Sequence, residues 1–202
     1  MQTSIWCKIW IKSWIGVIFM EIKTVAKWDE ELWQDANTLY NEAFGEKGAK
    51  PVKIIKNMLA KGIAELHVGY SDKKPVVMAL TGKLTNDKVM LIDYLAVSET
   101  ERNHGIGKQF VAIMRQKAIA EGYEMLIIEA ESEMTPDNRR RMAFWQTCGF
   151  QLTAYIHTYI WVPETYQAMY LPLTDKVTEK HGEELFVYIN TFHRLSFSGV
   201  KK

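Results

Sequence analysis

"VMLIDYLAVSETERNHGIGKQFVAIM", residues 89–114, opens with an apolar run that ends at Val97 and closes with Ile106, Phe110, Ile113 and Met114 at helical spacing. A strand therefore feeds a helix through a turn that contains "RNHGIG", residues 102–107. The first-turn N–H groups of such a helix have no carbonyl partners and together carry about half a positive elementary charge. Gly105 and Gly107 put no side chain in the way of those donors, Ile106 is free to point into the core, and Arg102 and Lys108 add charge on either flank. The segment is suited to hold a pyrophosphate. A P-loop would need glycine at 102 and Ser or Thr at 109, where Arg102 and Gln109 stand. A dinucleotide fingerprint starting at Gly105 would need a small residue at 110, where Phe110 stands. The simpler alternative is a glycine-rich turn with two exposed cations.

Outward from this stretch, residues 21–28 read as a strand, and Asp29 caps a helix with Leu32, Trp33, Ala36, Leu39, Tyr40, Ala43 and Phe44 on one side. A second helix is marked by Val52, Ile55, Met58, Leu59 and Ile63. Residues 65–70, 75–84 and 89–97 read as three strands with short polar turns, and 125–131 ("MLIIEAE") as a strand with an acidic end. A further helix runs from Pro136 toward Cys148, with Thr135 as its cap and Gly149 as its stop. Residues 150–162 and 167–173 read as strands, followed by a helix over 183–196 with Leu185, Ile189, Phe192 and Leu195 on one side. Hairpins combined with a strand-helix-strand unit predict an α/β mixed sheet.

Composition bounds the function. The 202 residues are 48% hydrophobic and 24% charged, which fits one globular domain, and a net charge of +1 calls for no nucleic-acid partner. Cys7 and Cys148 form no metal or disulfide spacing, so a reducing, cytoplasmic setting is the default. The five histidines show no ligand spacing, so no metal is expected. Residues 1–19, with Trp6, Trp10 and Trp14 and no acidic residue, read as an appendage, and Met20 reads as a plausible functional start. Lys8 and Lys12 leave the apolar run too short for a membrane span, although their one-turn separation also permits an interfacial amphipathic helix.

Residues 95–114 resemble the acyl-CoA-binding segment of the GNAT superfamily, the acetyl-CoA-dependent N-acyltransferases, in which an apolar strand and short turn precede R/Q-x-x-G-x-G/A at a helix start. Asn138, followed by Trp145 seven residues on and by Gly149 and Phe150, resembles a second segment of the same family. The resemblance covers residues 20–172 and leaves 173–202 as a helical tail. It implies a GNAT-like mixed sheet whose fourth and fifth predicted strands, 89–97 and 125–131, splay apart. It also implies acetyl-CoA as cosubstrate: the backbone of Leu95, Ala96 and Val97 against the pantetheine arm, N–H groups of Asn103, His104, Gly105, Ile106, Gly107 and Lys108 around the pyrophosphate with Arg102 on the flank, Asn138 along the pantetheine, and Trp145 among the cofactor-binding residues.

Acyl transfer to an amine needs a base, an oxyanion donor and a proton for the leaving thiol. Glu129 and Glu131 share one strand face by alternation and are the candidate bases, with Asp93 a weaker one; the alternative is that both are solvated charges facing arginines. Many relatives carry a tyrosine where Trp145 stands, and an indole N–H cannot act as an acid near neutral pH. Tyr155 or Tyr159 then becomes the candidate acid, the alternative being that solvent protonates the thiolate. Arg139, Arg140 and Arg141 fan around a helix and read as a local ion-pair cluster with Glu131, Glu133 and Asp137. The expected activity is acetyl transfer from acetyl-CoA to a primary amine of a small molecule or peptide by direct attack. Trp145 supports an alternative, a non-catalytic acyl-CoA-binding module. The tail helix has two possible partners, a second subunit or its own sheet.

Overall fold

Asp29 accepts a hydrogen bond from the Leu32 N–H at 2.9 Å, and this cap turns the chain from strand β2 (Gly16–Val25) into helix α1 (Glu30–Gly48). The computed structural model describes residues 5–13 and 16–200. They fall into two units. The first holds the residues up to Gly82, Tyr94–Phe110 and the segment from Ser196 onward; the second holds Lys83–Asp93 and Val111–Leu195.

In the first unit, β1 (Ile5–Ser13), β2, β3 (Ala64–Ser71) and β4 (Lys74–Leu84) pair antiparallel in chain order. Where the sequence admits an interfacial helix, residues 5–13 form a strand paired from Ile5↔Thr24 to Ser13↔Gly16, so that reading is corrected. Asp72 and Lys73, at φ 49° and 66°, make the two-residue turn between β3 and β4. Leu32, Trp33, Ala36, Leu39 and Tyr40 of α1 are buried, while Ala43 in its last turns is exposed. Gly45 breaks the helical geometry at φ 47°, and α2 (Val52–Ala60) follows with Ile54, Ile55, Met58 and Leu59 buried.

Strand β5 (Val89–Val97) and helix α3 (Ile106–Ala120) each run through both units. In the second unit β5 pairs parallel with β6 (Met125–Glu131) from Val89↔Met125 to Leu91↔Ile127. Beyond Ile127, among the described residues, β6 pairs only with antiparallel β9 (Thr165–Pro172), as far as Glu131↔Tyr166. The parallel ladder therefore stops while β6 continues, which is the splay expected between these two strands. Helix α4 (Pro136–Thr147) starts on the Thr135 cap, whose side chain accepts from the Asn138 N–H at 3.1 Å, and ends before Gly149 at φ +94°.

Residues 150–162 do not form the single strand the sequence suggests. Only β7 (Gln151–Leu152) and β8 (His157–Thr158) pair with β9. Aromatic packing holds the rest: the His157 ring stacks on Phe186 at 4.1 Å and meets Tyr159 edge-on at 4.6 Å. Phe186 belongs to α5 (Gly182–Phe197), whose Leu185, Phe186, Ile189 and Phe192 are at most 2% exposed, so the tail helix buries its stripe within its own fold. The architecture is an α/β mixed sheet with flanking helices and a C-terminal helix. Among the described residues, no helix is long and apolar enough to cross a membrane.

Candidate active site

The first unit carries the glycine turn. After Val97 the Ser98 N–H bonds to the Val76 carbonyl at 2.9 Å, and a 3-10 turn (Glu99–Glu101) brings the chain round to Arg102. Arg102 folds back on the strand: its Nε donates to the Val97 carbonyl at 3.2 Å, and Nη2 lies 3.5 Å from Glu42 Oε1 on α1. The same Glu42 oxygen accepts the Glu99 N–H at 2.7 Å. Arg102 thus braces the turn and is partly neutralised there.

Asn103 at φ 66° and Gly105 at φ +83° take the left-handed turns that bring the chain into α3. Ile106, 3% exposed, anchors the helix start as expected. Among the described residues, no protein acceptor takes the backbone N–H groups of residues 103–108; the first helical bond there is Gln109 N–H to the Gly105 carbonyl at 3.0 Å. His104, Gly105 and Lys108 are exposed, whereas Gly107 is buried. The Gln109 Oε1 is buried with no donor among the described residues. A row of unpartnered donors at a helix start is a fit for an anionic group. Leu95 and Val97 are half-buried on the strand that leads into this turn, and Ala96 is buried.

The second unit carries the titratable cluster. β6 presents Glu129 and Glu131, and their partners separate them. Glu131 lies 3.4 Å from Arg141 and is the more exposed of the two, which matches the solvated ion-pair alternative for that residue. Glu129, with its side chain 18% exposed, lies 3.1 Å from His193 Nε2 on α5. Tyr159 faces the same carboxylate. Its hydroxyl is buried, and burial, followed by the Glu129 charge and a hydrogen bond toward that carboxylate, pushes its pKa above the ordinary tyrosine range. Such a phenol keeps its proton beside the carboxylate. Tyr166 is pushed up to about 12, by burial first and then by Glu129.

Tyr155 stands apart from this group in its contacts: its hydroxyl lies 3.3 Å from His157 Nδ1 and its ring packs on Phe186. Asn138 is 3% exposed and its amide is engaged, Nδ2 donating to the Glu133 carbonyl at 2.9 Å and Oδ1 accepting from Arg141. It ties down the loop between β6 and α4. Trp145 packs edge-on against Phe144 and Phe150. Arg140 pairs with Asp137, and Arg139 donates to the Met134 carbonyl at 2.7 Å, so the arginine run is mostly consumed locally.

Sequence reasoning missed Glu42 and His193. Nothing in the sequence flags Glu42. His193, however, sits four residues after Ile189 and seven after Phe186, on the buried stripe of α5, and that spacing carries the signal.

Residues 28–150 match the model of the Acetyltransferase (GNAT) family. No curated protein matches the chain in sequence. Among solved structures, a GNAT-family acetyltransferase from Bacteroides thetaiotaomicron is similar at 16% identity and TM-score 0.65, covering 85% of this chain and 94% of that one. One from Desulfovibrio desulfuricans is similar at 14% identity and TM-score 0.61, covering 77% and 99%. An acetyltransferase from Bacillus subtilis in complex with CoA is similar at 19% identity and TM-score 0.55, covering 76% and 98%. With the family match extending over more than half its length, the chain belongs to the GNAT acetyltransferase family, the acetyl-CoA-dependent N-acetyltransferases.

Proposed function

We propose that the chain moves acetyl from acetyl-CoA to a primary amine of a small molecule or peptide by direct attack, in a reducing compartment such as the cytoplasm. The observation that carries this reading is the set of backbone N–H groups of residues 103–108 left without protein acceptors at the start of α3. They hold the diphosphate, Gly105 and Gly107 allow its approach, and Arg102 keeps the turn in shape through Val97 and Glu42. The backbone of Leu95, Ala96 and Val97 lines the pantetheine arm. Asn138 fixes the loop after β6, and Trp145 adds an apolar wall.

Acetyl-CoA supplies an acyl group activated as a thioester. Glu129 takes the ammonium proton that blocks the attacking nitrogen, and its low exposure keeps competing water scarce. A strand N–H of β5 offsets negative charge on the carbonyl oxygen, which requires no particular side chain. Tyr159 donates a hydrogen bond and keeps its proton. Tyr155 packs against α5 and remains the other tyrosine open to test as the thiol's acid.

Trp145, standing where many relatives have tyrosine, favours a second reading in which the chain binds acyl-CoA without turnover. Thiol release and product mass, followed across polyamine, aminoglycoside, amino-acid and peptide acceptors, separate the two. An acetylated amine supports the enzyme. Calorimetric binding of acetyl-CoA with thiol release at the enzyme-free rate for all four classes supports the binding module.

A further inference from the structure

Glu129 lies inside the stretch that matches the family, whereas its partner His193 lies beyond it, on a helix that follows the last strand. We propose that His193 is a positioning residue that aims the Glu129 carboxylate, so that a segment outside the matched family domain completes the catalytic end of β6. The proposal rests on the reading of Glu129 as the base.

The geometry is specific to one oxygen. His193 Nε2 stands 3.1 Å from Glu129 Oε2, a normal hydrogen-bond length, with side chains 22% and 18% exposed. In the tautomer that carries its proton on Nε2, the imidazole donates to Oε2 and leaves Oε1 to receive the ammonium proton. The ring is itself fixed. Ile189 and Phe192, at most 1% exposed, lock the helix turn that bears it, and the Tyr159 ring meets it edge-on at 6.1 Å. Glu129 therefore faces His193 from α5, Tyr159 from the 158–162 segment and Tyr166 from β9, with Glu131 next on its own face and Asp93 acting on the same Tyr159.

Glu131 is the internal contrast. It stands on the same face of the same strand, but its partner is an arginine with a side chain 59% exposed. A long, solvated guanidinium does little to fix a carboxylate, whereas an imidazole set in a buried helix stripe holds one orientation. Positioning of this kind raises the fraction of time the base spends in line with its proton.

Two readouts test the proposal. In the free full-length chain with 15N-labelled histidine, Nε2 of His193 carries a proton whose downfield resonance moves upfield in Glu129→Gln, where the acceptor has lost its charge. An unprotonated Nε2, or a resonance indifferent to Glu129→Gln, overturns the pairing. In turnover with the acceptor found by the screen, His193→Ala lowers kcat about 10- to 100-fold with the KM for acetyl-CoA unchanged. His193→Gln, whose amide N–H reaches toward the place of Nε2, restores most of that loss. His193→Ala adds nothing in a Glu129→Gln background. Wild-type turnover by Glu129→Gln refutes Glu129 as the base. A fall in Glu129→Gln alongside wild-type turnover by His193→Ala leaves the base standing and overturns the positioning role alone. Failure of His193→Gln to recover more than His193→Ala also overturns it, because ring packing would then account for the loss.

Discussion

Glu42 Oε1 accepts the Glu99 backbone N–H at 2.7 Å, so a side chain on the first helix fixes the entry to the glycine turn. Because the same oxygen stands 3.5 Å from Arg102 Nη2, loop shape and loop charge share one carboxylate. Glu42→Ala is expected to weaken acetyl-CoA binding about 3- to 10-fold, the loss of roughly one charge-assisted bond, with a thermal midpoint close to wild type. Calorimetry with acetyl-CoA checks this, and unchanged affinity would remove Glu42 from the account.

Gly69 in β3 answers to packing rather than to backbone conformation. A Cβ built there meets Val77 Cγ1 at 2.6 Å and Met20 Sδ at 2.9 Å, and both neighbours are at most 1% exposed. Gly69→Ala is expected to cost about 1–3 kcal/mol in stability by overpacking. Urea unfolding measures it; a midpoint equal to wild type would mean that the two sheet neighbours can give way.

Alkaline stability follows from three tyrosines. Tyr70 donates to Asp35 at 2.7 Å, and burial, followed by that bond, pushes its pKa up; Tyr159 is raised by burial and then Glu129, and Tyr166 is raised to about 12. Each holds its proton more tightly folded than unfolded. Their contribution is therefore fully present below about pH 10, the unfolded value, and is lost as pH rises through the folded values. The denaturation midpoint is expected to fall between about pH 10 and 12, less steeply in Tyr166→Phe. A midpoint flat across that window contradicts the assignment.

Much of the fold was legible where one period dominated. Residues 89–97 and 125–131 are mainly apolar runs between polar turns, broken only by Asp93 and by the acidic end Glu129 and Glu131, and both are strands with those bounds. Asp29 and Thr135 announced their helices because a short polar side chain before an apolar period has a single good use. Residues 5–13 were ambiguous for a geometric reason: Lys8 and Lys12 are four apart, a separation that satisfies both one helical turn and the two-residue repeat of a strand. Residues 150–162 have the composition of a strand, but most of their partners are aromatic rings rather than a ladder. In the candidate site, the turn at residues 102–107 was readable because it is local. The pairing of Glu129 with His193 joins residues 64 positions apart, which no local period reveals.

Gly107→Leu is expected to abolish acetyl-CoA binding in a protein that still folds, because a side chain at this buried first-turn position would stand against the incoming diphosphate. Circular dichroism confirms the fold and calorimetry reads the affinity. Wild-type affinity in the folded variant would refute the cradle.

The most direct measurement compares acetyl-CoA with acetylpantetheine, which carries the same thioester without the diphosphate, while the backbone amide resonances of residues 103–108 are followed by NMR. Large shifts are expected at those six amides with acetyl-CoA, little change there with acetylpantetheine, and affinity weaker by about 100-fold or more for the truncated ligand. Equal affinity for the two ligands, or acetyl-CoA binding that leaves those resonances in place, would contradict the cradle.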